Sequence, residues 1–173
     1  MSITTKTGDT GMTGLFGGAR IKKDHTQVEA YGALDEATCF IGSAYESLSD
    51  TRTKELLTDV QLHIYIIMGY LAGAGMDKKK IAAHLVVVDT NIITLEKELP
   101  KLTRFILPQG GEAASRLHIA RAMIRSAERR VFSCVDQKEE QTDEDIVILQ
   151  YLNRLSDLFF LLARKFSTNE KQT

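Results

Sequence analysis

A chain of 173 residues with 43% hydrophobic and 26% charged residues has material for a substantial core and the composition of an ordinary globular domain. Its net charge of −1 excludes a whole-molecule field that would draw it to nucleic acid or an anionic membrane, so any anion site must be local. Cys39 and Cys134, its two cysteines, form neither a disulfide framework nor a metal-ligand spacing, and reduced thiols are expected. The longest uncharged apolar stretch, residues 64–76, is too short to cross a bilayer. No signal or transit pattern opens the chain, so the expectation is a single cytoplasmic domain over 1–173, with no membrane or nucleic-acid partner.

Glycine recurs every third residue from Gly8 to Gly17, and five of the twelve glycines fall before residue 19. Threonines and Lys6 are interleaved with them. Glycine lets backbone N–H groups approach a ligand closely, successive amides form concave anion sites, and hydroxyls and an ammonium add donors. The segment 1–25 therefore reads as a loop that wraps a polyphosphate. The alternative is an unstructured leader, because ordering glycine is entropically costly. Neither the GxxxxGK[ST] pattern nor a strand-borne GxGxxG is present.

Five helices follow. The first covers about 27–48 and the second about 53–73. In the third, Ile81, Leu85, Val88, Ile92, Leu95 and Leu99 alternate spacings of four and three, a heptad seam; its β-branched residues leave a strand conceivable. Pro100 and Pro108 bracket a break. The fourth helix covers about 112–135. The acidic run 136–145 reads as a solvated loop before a fifth helix over about 145–166. The fold class is all-α, an antiparallel five-helix bundle over 26–168.

Several polar residues sit where a bundle should be dry. Asp35 falls on a seam with Val28, Tyr31 and Cys39, and a desolvated carboxylate needs a cation; at the edge of the stripe it would stay wet. Arg121, Arg125 and Arg129 are spaced by four and stack on one helix face. Such a row grips phosphate oxygens bidentately, or serves as a solvated face. Asn153, Asp157 and Arg164 share a stripe of the fifth helix; Asn153 suits a nucleotide edge or an interhelical hydrogen bond. No Glu-x-x-His pair or nucleophile motif is present.

Four blocks together resemble the PduO-type ATP:cob(I)alamin adenosyltransferases, or corrinoid adenosyltransferases. They are Thr-Lys-Thr-Gly-Asp-Thr-Gly at 5–11, Val-Glu-Ala-Tyr-Gly-Ala-Leu-Asp-Glu at 28–36, Phe-Ile-Leu-Pro-Gln-Gly-Gly at 105–111 with the following 117–130, and Tyr-Leu-Asn-Arg-Leu-Ser-Asp at 151–157. The resemblance spans residues 3–166. It implies transfer of the 5′-deoxyadenosyl group of ATP to the cobalt of reduced cobalamin, with Mg²⁺, in a homotrimer whose sites lie between subunits. An external reductant such as a flavoprotein, and an adenosylcobalamin-dependent enzyme, are the further partners it implies. Thr5, Lys6, Thr7, Gly8, Thr13, Gly14 and Lys23 would cradle the triphosphate, and Arg125, Glu128, Arg129 and Asn153 would complete the nucleotide site. Asp35 and Arg121 match a salt bridge across the subunit boundary, and Phe105 an aromatic residue under the corrin ring. Ser126 and Gln109 depart from the family pattern, and residues 63–80 match it poorly. A non-catalytic ATP-binding sensor or scaffold is the rival function.

Overall fold

The computed structural model describes Thr4 and residues 6–173. Five helices are present: α1 Thr26–Glu46, α2 Thr51–Leu71, α3 Lys78–Glu98, α4 Glu112–Val135 and α5 Asp143–Lys165. Side-chain caps set most of the starts. Asp50 accepts from Thr53 N (2.9 Å) and Asp77 from Lys79 N (3.0 Å), placing α2 and α3 ahead of their first apolar residues. Gly111, at φ 100°, precedes α4 without a side-chain cap.

The all-α expectation has one small exception. Within the glycine-rich loop, β1 Met12–Gly14 and β2 Arg20–Lys22 pair antiparallel, with Thr13 opposite Ile21. Three-residue strands are too short to show an alternating pattern in sequence. Gly17 and Gly18, both at positive φ, turn the chain. The hairpin is not a loose leader: Phe16 N donates to the Ala72 carbonyl at the end of α2 (2.9 Å).

Cross-helix bonds fix the helix directions. Thr26 at the start of α1 bonds Gln137 just beyond α4, and Arg116 near the start of α4 donates to Ser43 near the end of α1. α1 and α4 therefore run antiparallel. Asp89 meets Arg154 and Lys78 meets Asp143, so the neighbours α3 and α5 run parallel, as strict up-and-down alternation requires of two odd-numbered helices. α1 packs most extensively on α4, and α4 on α5. The α1 face buried there is rich in alanine, with Ala30, Ala33, Ala37 and Ala44 joined by Ala120 and Ala127 of α4. Small side chains let helix axes come close.

α5 is the core helix. Tyr151, Leu152, Leu155, Leu158 and Phe159 are fully buried, each large side chain contributing about 1.5–3 kcal/mol of transfer free energy. By length and composition it could cross a membrane, yet 61% of its most apolar window is buried inside the bundle, as befits a core helix.

Three polar residues depart from expectation. Asp145 is not part of a solvated loop: it is wholly buried, closes a capping box with Thr142, and pairs with Lys138 at 2.6 Å. The carboxylate is held below its usual range by that ammonium and by donors from Thr142, against the opposing effect of burial. Arg164 leaves the Asn153–Asp157 stripe for the interior, 8% exposed. His84 joins the buried face of α3, where Leu85 and Ile92 are only partly covered. Its ring stacks on His63 of α2 at 3.9 Å, and its Nδ1 lies 2.8 Å from Tyr151 Oη.

Burial and the neighbouring His63 push His84 down to about 4 from 6.5, against the pull of Asp59. Between those values the unfolded chain binds a proton that the native state refuses, so stability is complete above 6.5 and falls as pH drops toward 4. His118, also depressed, acts in the same sense. Urea melts across this window are expected to show a loss of up to about 3 kcal/mol, and His84→Gln should make the pH dependence shallower.

Candidate functional site

The two ends of the bundle carry different chemistry. At the end where α1 begins, the N-terminal loop folds back on itself. Gly11 N donates to the Gly8 carbonyl (3.2 Å) and Lys23 N to the Gly11 carbonyl (2.9 Å). Arg20 donates to the Thr7 carbonyl (2.6 Å). A Cβ placed on Gly8 would sit 3.2 Å from Lys23 Nζ, so the lysine ammonium lies directly over that glycine. Lys6 takes the left-handed conformation at φ 56°. Gly8 and Lys23 thus stand side by side, with Lys6 exposed nearby; Thr13 and Gly14 lie in β1. Thr5 lies outside the described residues.

The opposite end is where α4 begins. There the segment from Pro100 to Gly111 and α4 enclose a cavity of about 790 Å³ lined by Leu102, Phe105, Ile106, His118, Arg121 and Phe160, among others. Phe105 is 86% exposed, an uncovered aromatic at the mouth of an apolar hollow. His118 is buried with an unpartnered Nδ1; burial, then the nearby Arg121 charge, lower its pKa against the pull of Glu170. Arg121 carries a buried Nε with no hydrogen-bond partner. Burial and repulsion from Arg125 lower its pKa, and no carboxylate within the described residues pairs with it.

Between the two ends runs the arginine row. Arg121 is half-buried, whereas Arg125 and Arg129 are exposed, with Arg129 Nη1 donating to the Arg125 carbonyl (3.1 Å). Glu128 accepts from Asn153 Nδ2 of α5 at 3.1 Å, the interhelical bond left open as one reading of Asn153. Ser126 Oγ accepts from Arg130 Nη1 (2.7 Å) while Arg130 faces Glu29 at 3.5 Å. The departure at Ser126 therefore leaves room for Arg130 to lie against α1.

Asp35 is exposed and makes no ion pair with a described residue. The buried seam of α1 runs one step away, through Ala30, Leu34, Ala37 and Ile41. Alanines cover the core without standing out as large apolar landmarks, which is why Asp35 reads as inward in the sequence. Nor does one chain close the predicted site. No hydrogen bond among the described residues joins Lys6, Gly8, Thr13, Gly14 or Lys23 to Arg125, Glu128, Arg129 or Asn153. α4, at 24 residues, separates the loop from Phe105 by about 36 Å of helix. His118 lies within the 117–130 block, yet nothing in its spacing marks it for the cavity wall that it lines.

A cationic loop and guanidinium row on one hand, and an apolar cavity bearing a bare aromatic on the other, offer one surface suited to a polyanion and one suited to a broad apolar group. The comparisons give that pair of surfaces its family. Residues 3–166 match the cobalamin adenosyltransferase family model. The corrinoid adenosyltransferase of Bacillus subtilis is 44% identical over 171 residues, covering 95% of this chain and 86% of the relative. The PduO corrinoid adenosyltransferase of Citrobacter freundii is 37% identical, and the chain spans about half of its length (49%). A variant of the PduO-type ATP:corrinoid adenosyltransferase from Lactobacillus reuteri, complexed with cobalamin and ATP, superposes with a TM-score of 0.87 at 29% identity over 99% of both chains. The chain belongs to the cobalamin adenosyltransferase family.

Proposed function

We propose that this chain transfers the 5′-deoxyadenosyl group of ATP to the cobalt of reduced cobalamin, giving adenosylcobalamin and triphosphate. The observation that carries the reading is Arg121: a half-buried cation with an orphaned Nε, set between the exposed arginine row and the Phe105 cavity. The chemistry belongs to the corrinoid, and the protein positions and tunes. The cavity receives the corrinoid, and Phe105 stands beneath the ring and excludes water and the lower ligand from cobalt. An external reductant, such as a flavoprotein, supplies the electron that makes Co(I), which attacks the 5′-carbon of ATP. Alignment of those two atoms is an in-line positioning problem.

As the triphosphate departs, its charge is met by Lys6, Thr7, Gly8 and Lys23 of the loop and by Arg125 and Arg129. Lys6, Gly8 and Lys23 make no hydrogen bond to Arg125 or Arg129 of their own chain, which fits a loop brought to the arginine row by a second copy. That supports the homotrimer with sites between subunits. Asp35, exposed and unpaired, and Arg121, half-buried with an unpartnered Nε, are the complementary halves such an assembly would join. Mg²⁺ fits only as a companion of the nucleotide: the described residues assemble no cluster of three or more His, Cys, Asp or Glu. Phosphate oxygens and water would supply its coordination, and no step here depends on it.

The test is the absorbance of cobalamin mixed with protein, ATP and reductant. Conversion to the adenosylated spectrum supports the reading, whereas ATP binding without a corrinoid response would favour the sensor. Arg125→Ala is expected to cost about 2–4 kcal/mol of transition-state stabilisation, seen as a fall in kcat/KM with helicity intact by circular dichroism. Phe105→Ala should reduce turnover more than ATP affinity, measured by calorimetry beside the turnover assay. Asp35→Ala should weaken assembly, read by sedimentation, with helicity unchanged.

A further inference from the structure

Residues 167–173, which follow α5, fold back along the segment that carries Phe105. Ile106 forms an antiparallel bridge with Gln172. Leu107 N donates to the Lys171 carbonyl and Thr173 N to the Phe105 carbonyl, both at 2.9 Å. Further along, Thr168 gives the Gly110 carbonyl two hydrogen bonds, from its N (2.8 Å) and its Oγ1 (3.1 Å). The backbone from the Phe105 carbonyl onward is therefore paired to residues far away in sequence, although the Phe105 side chain is open to solvent.

What fastens this strap is one buried cation. The Arg164 side chain is 5% exposed, and its Nε donates to Glu170 Oε2 at 2.7 Å. Its Nη2 donates to the Pro100 carbonyl at 2.8 Å. One guanidinium thus grips the strap through Glu170 and, through Pro100, the root of the Phe105 segment. A buried guanidinium is held firmly only while its partner carboxylate is in place. Gly110 makes the fit tight from the other side: its φ is +129°, and an added Cβ would overlap Ser167 Oγ.

We infer that Glu170, paired with Arg164, is a positioning residue for the reaction: it clamps residues 167–173 against the Phe105 segment and so sets where that aromatic ring stands. The inference rests on the adenosyltransferase reading. Glu170 lines neither the cavity nor the loop, and Thr173 is the strap residue that reaches the cavity wall. Its influence passes through backbone pairing to Phe105, which touches substrate.

The decisive readout is the fraction of bound cob(II)alamin that has lost its lower axial ligand, measured by electron paramagnetic resonance with ATP present. Glu170→Ala is expected to lower that fraction and to reduce kcat by about tenfold or more, the scale of a slightly misplaced group. ATP affinity, assigned to the N-terminal loop and to Arg125 and Arg129, none of which Glu170 touches, should stay within about twofold. Glu170→Asp should recover part of both. Gly110→Ala should reproduce the phenotype without touching the ion pair, by pushing residue 167 away. Variants that match the wild type in axial-ligand loss would overturn the inference, as would variants that weaken ATP binding as much as they slow turnover. A wild-type protein that neither removes the axial ligand nor forms adenosylcobalamin would instead sink the functional reading and the inference with it.

Discussion

The packing of α1 on α4 through small residues is the constraint on which the rest of the molecule depends. Alanines on both helices bury completely and bring the axes close. α4 is thereby pinned on one side by α1 and on another by α5, and its remaining face is left for charge. The pinning matters because like charges four residues apart repel by a few tenths of a kcal/mol per pair. Isolated, a helix bearing Arg121, Arg125 and Arg129 in a row would be weakened. Held by its apolar side, it keeps them as a ready, underneutralised surface for an anion.

The long helices were legible because each repeats apolar residues at helical spacing for about twenty residues, and four of them begin at polar side chains that cap. The family blocks, which carry residues and not just hydrophobicity, singled out Phe105 and the arginine row as candidates. What escaped has physical reasons. The hairpin is too short to alternate. Asp35 stands at the wet edge of its stripe, the second of its two readings, because the buried seam runs through Ala30, Leu34, Ala37 and Ile41 and not through Val28 and Tyr31. Asp145 looked like one acid among many, and only folding shows that Lys138 and the Thr142 cap enclose it. Arg164 stands next to Lys165 at the end of a helix, and its partner Glu170 lies beyond that helix, where no periodicity reaches.

The candidate site residues stand in a few sequence blocks, and the folded chain does not gather them in one place. Lys23 over Gly8 and Phe105 over its cavity lie at opposite ends of one bundle. Order along the chain does not reveal this by itself, because motif blocks say which groups act and nothing of which copy supplies them. The unpaired polar atoms are more informative. Arg121 Nε is buried without a partner, a state costly enough that something must complete it.

The reaction has a thermodynamic corollary. Two ligands that react with each other in one site are coupled in their binding. Whatever factor the nucleotide imposes on corrinoid affinity, the corrinoid must impose equally on the nucleotide. A stiff helix with a buried seam transmits little by bending, so reciprocal linkage falls to the segments at its tips: the hairpin tied to Ala72 at one end and the segment bearing the open aromatic at the other.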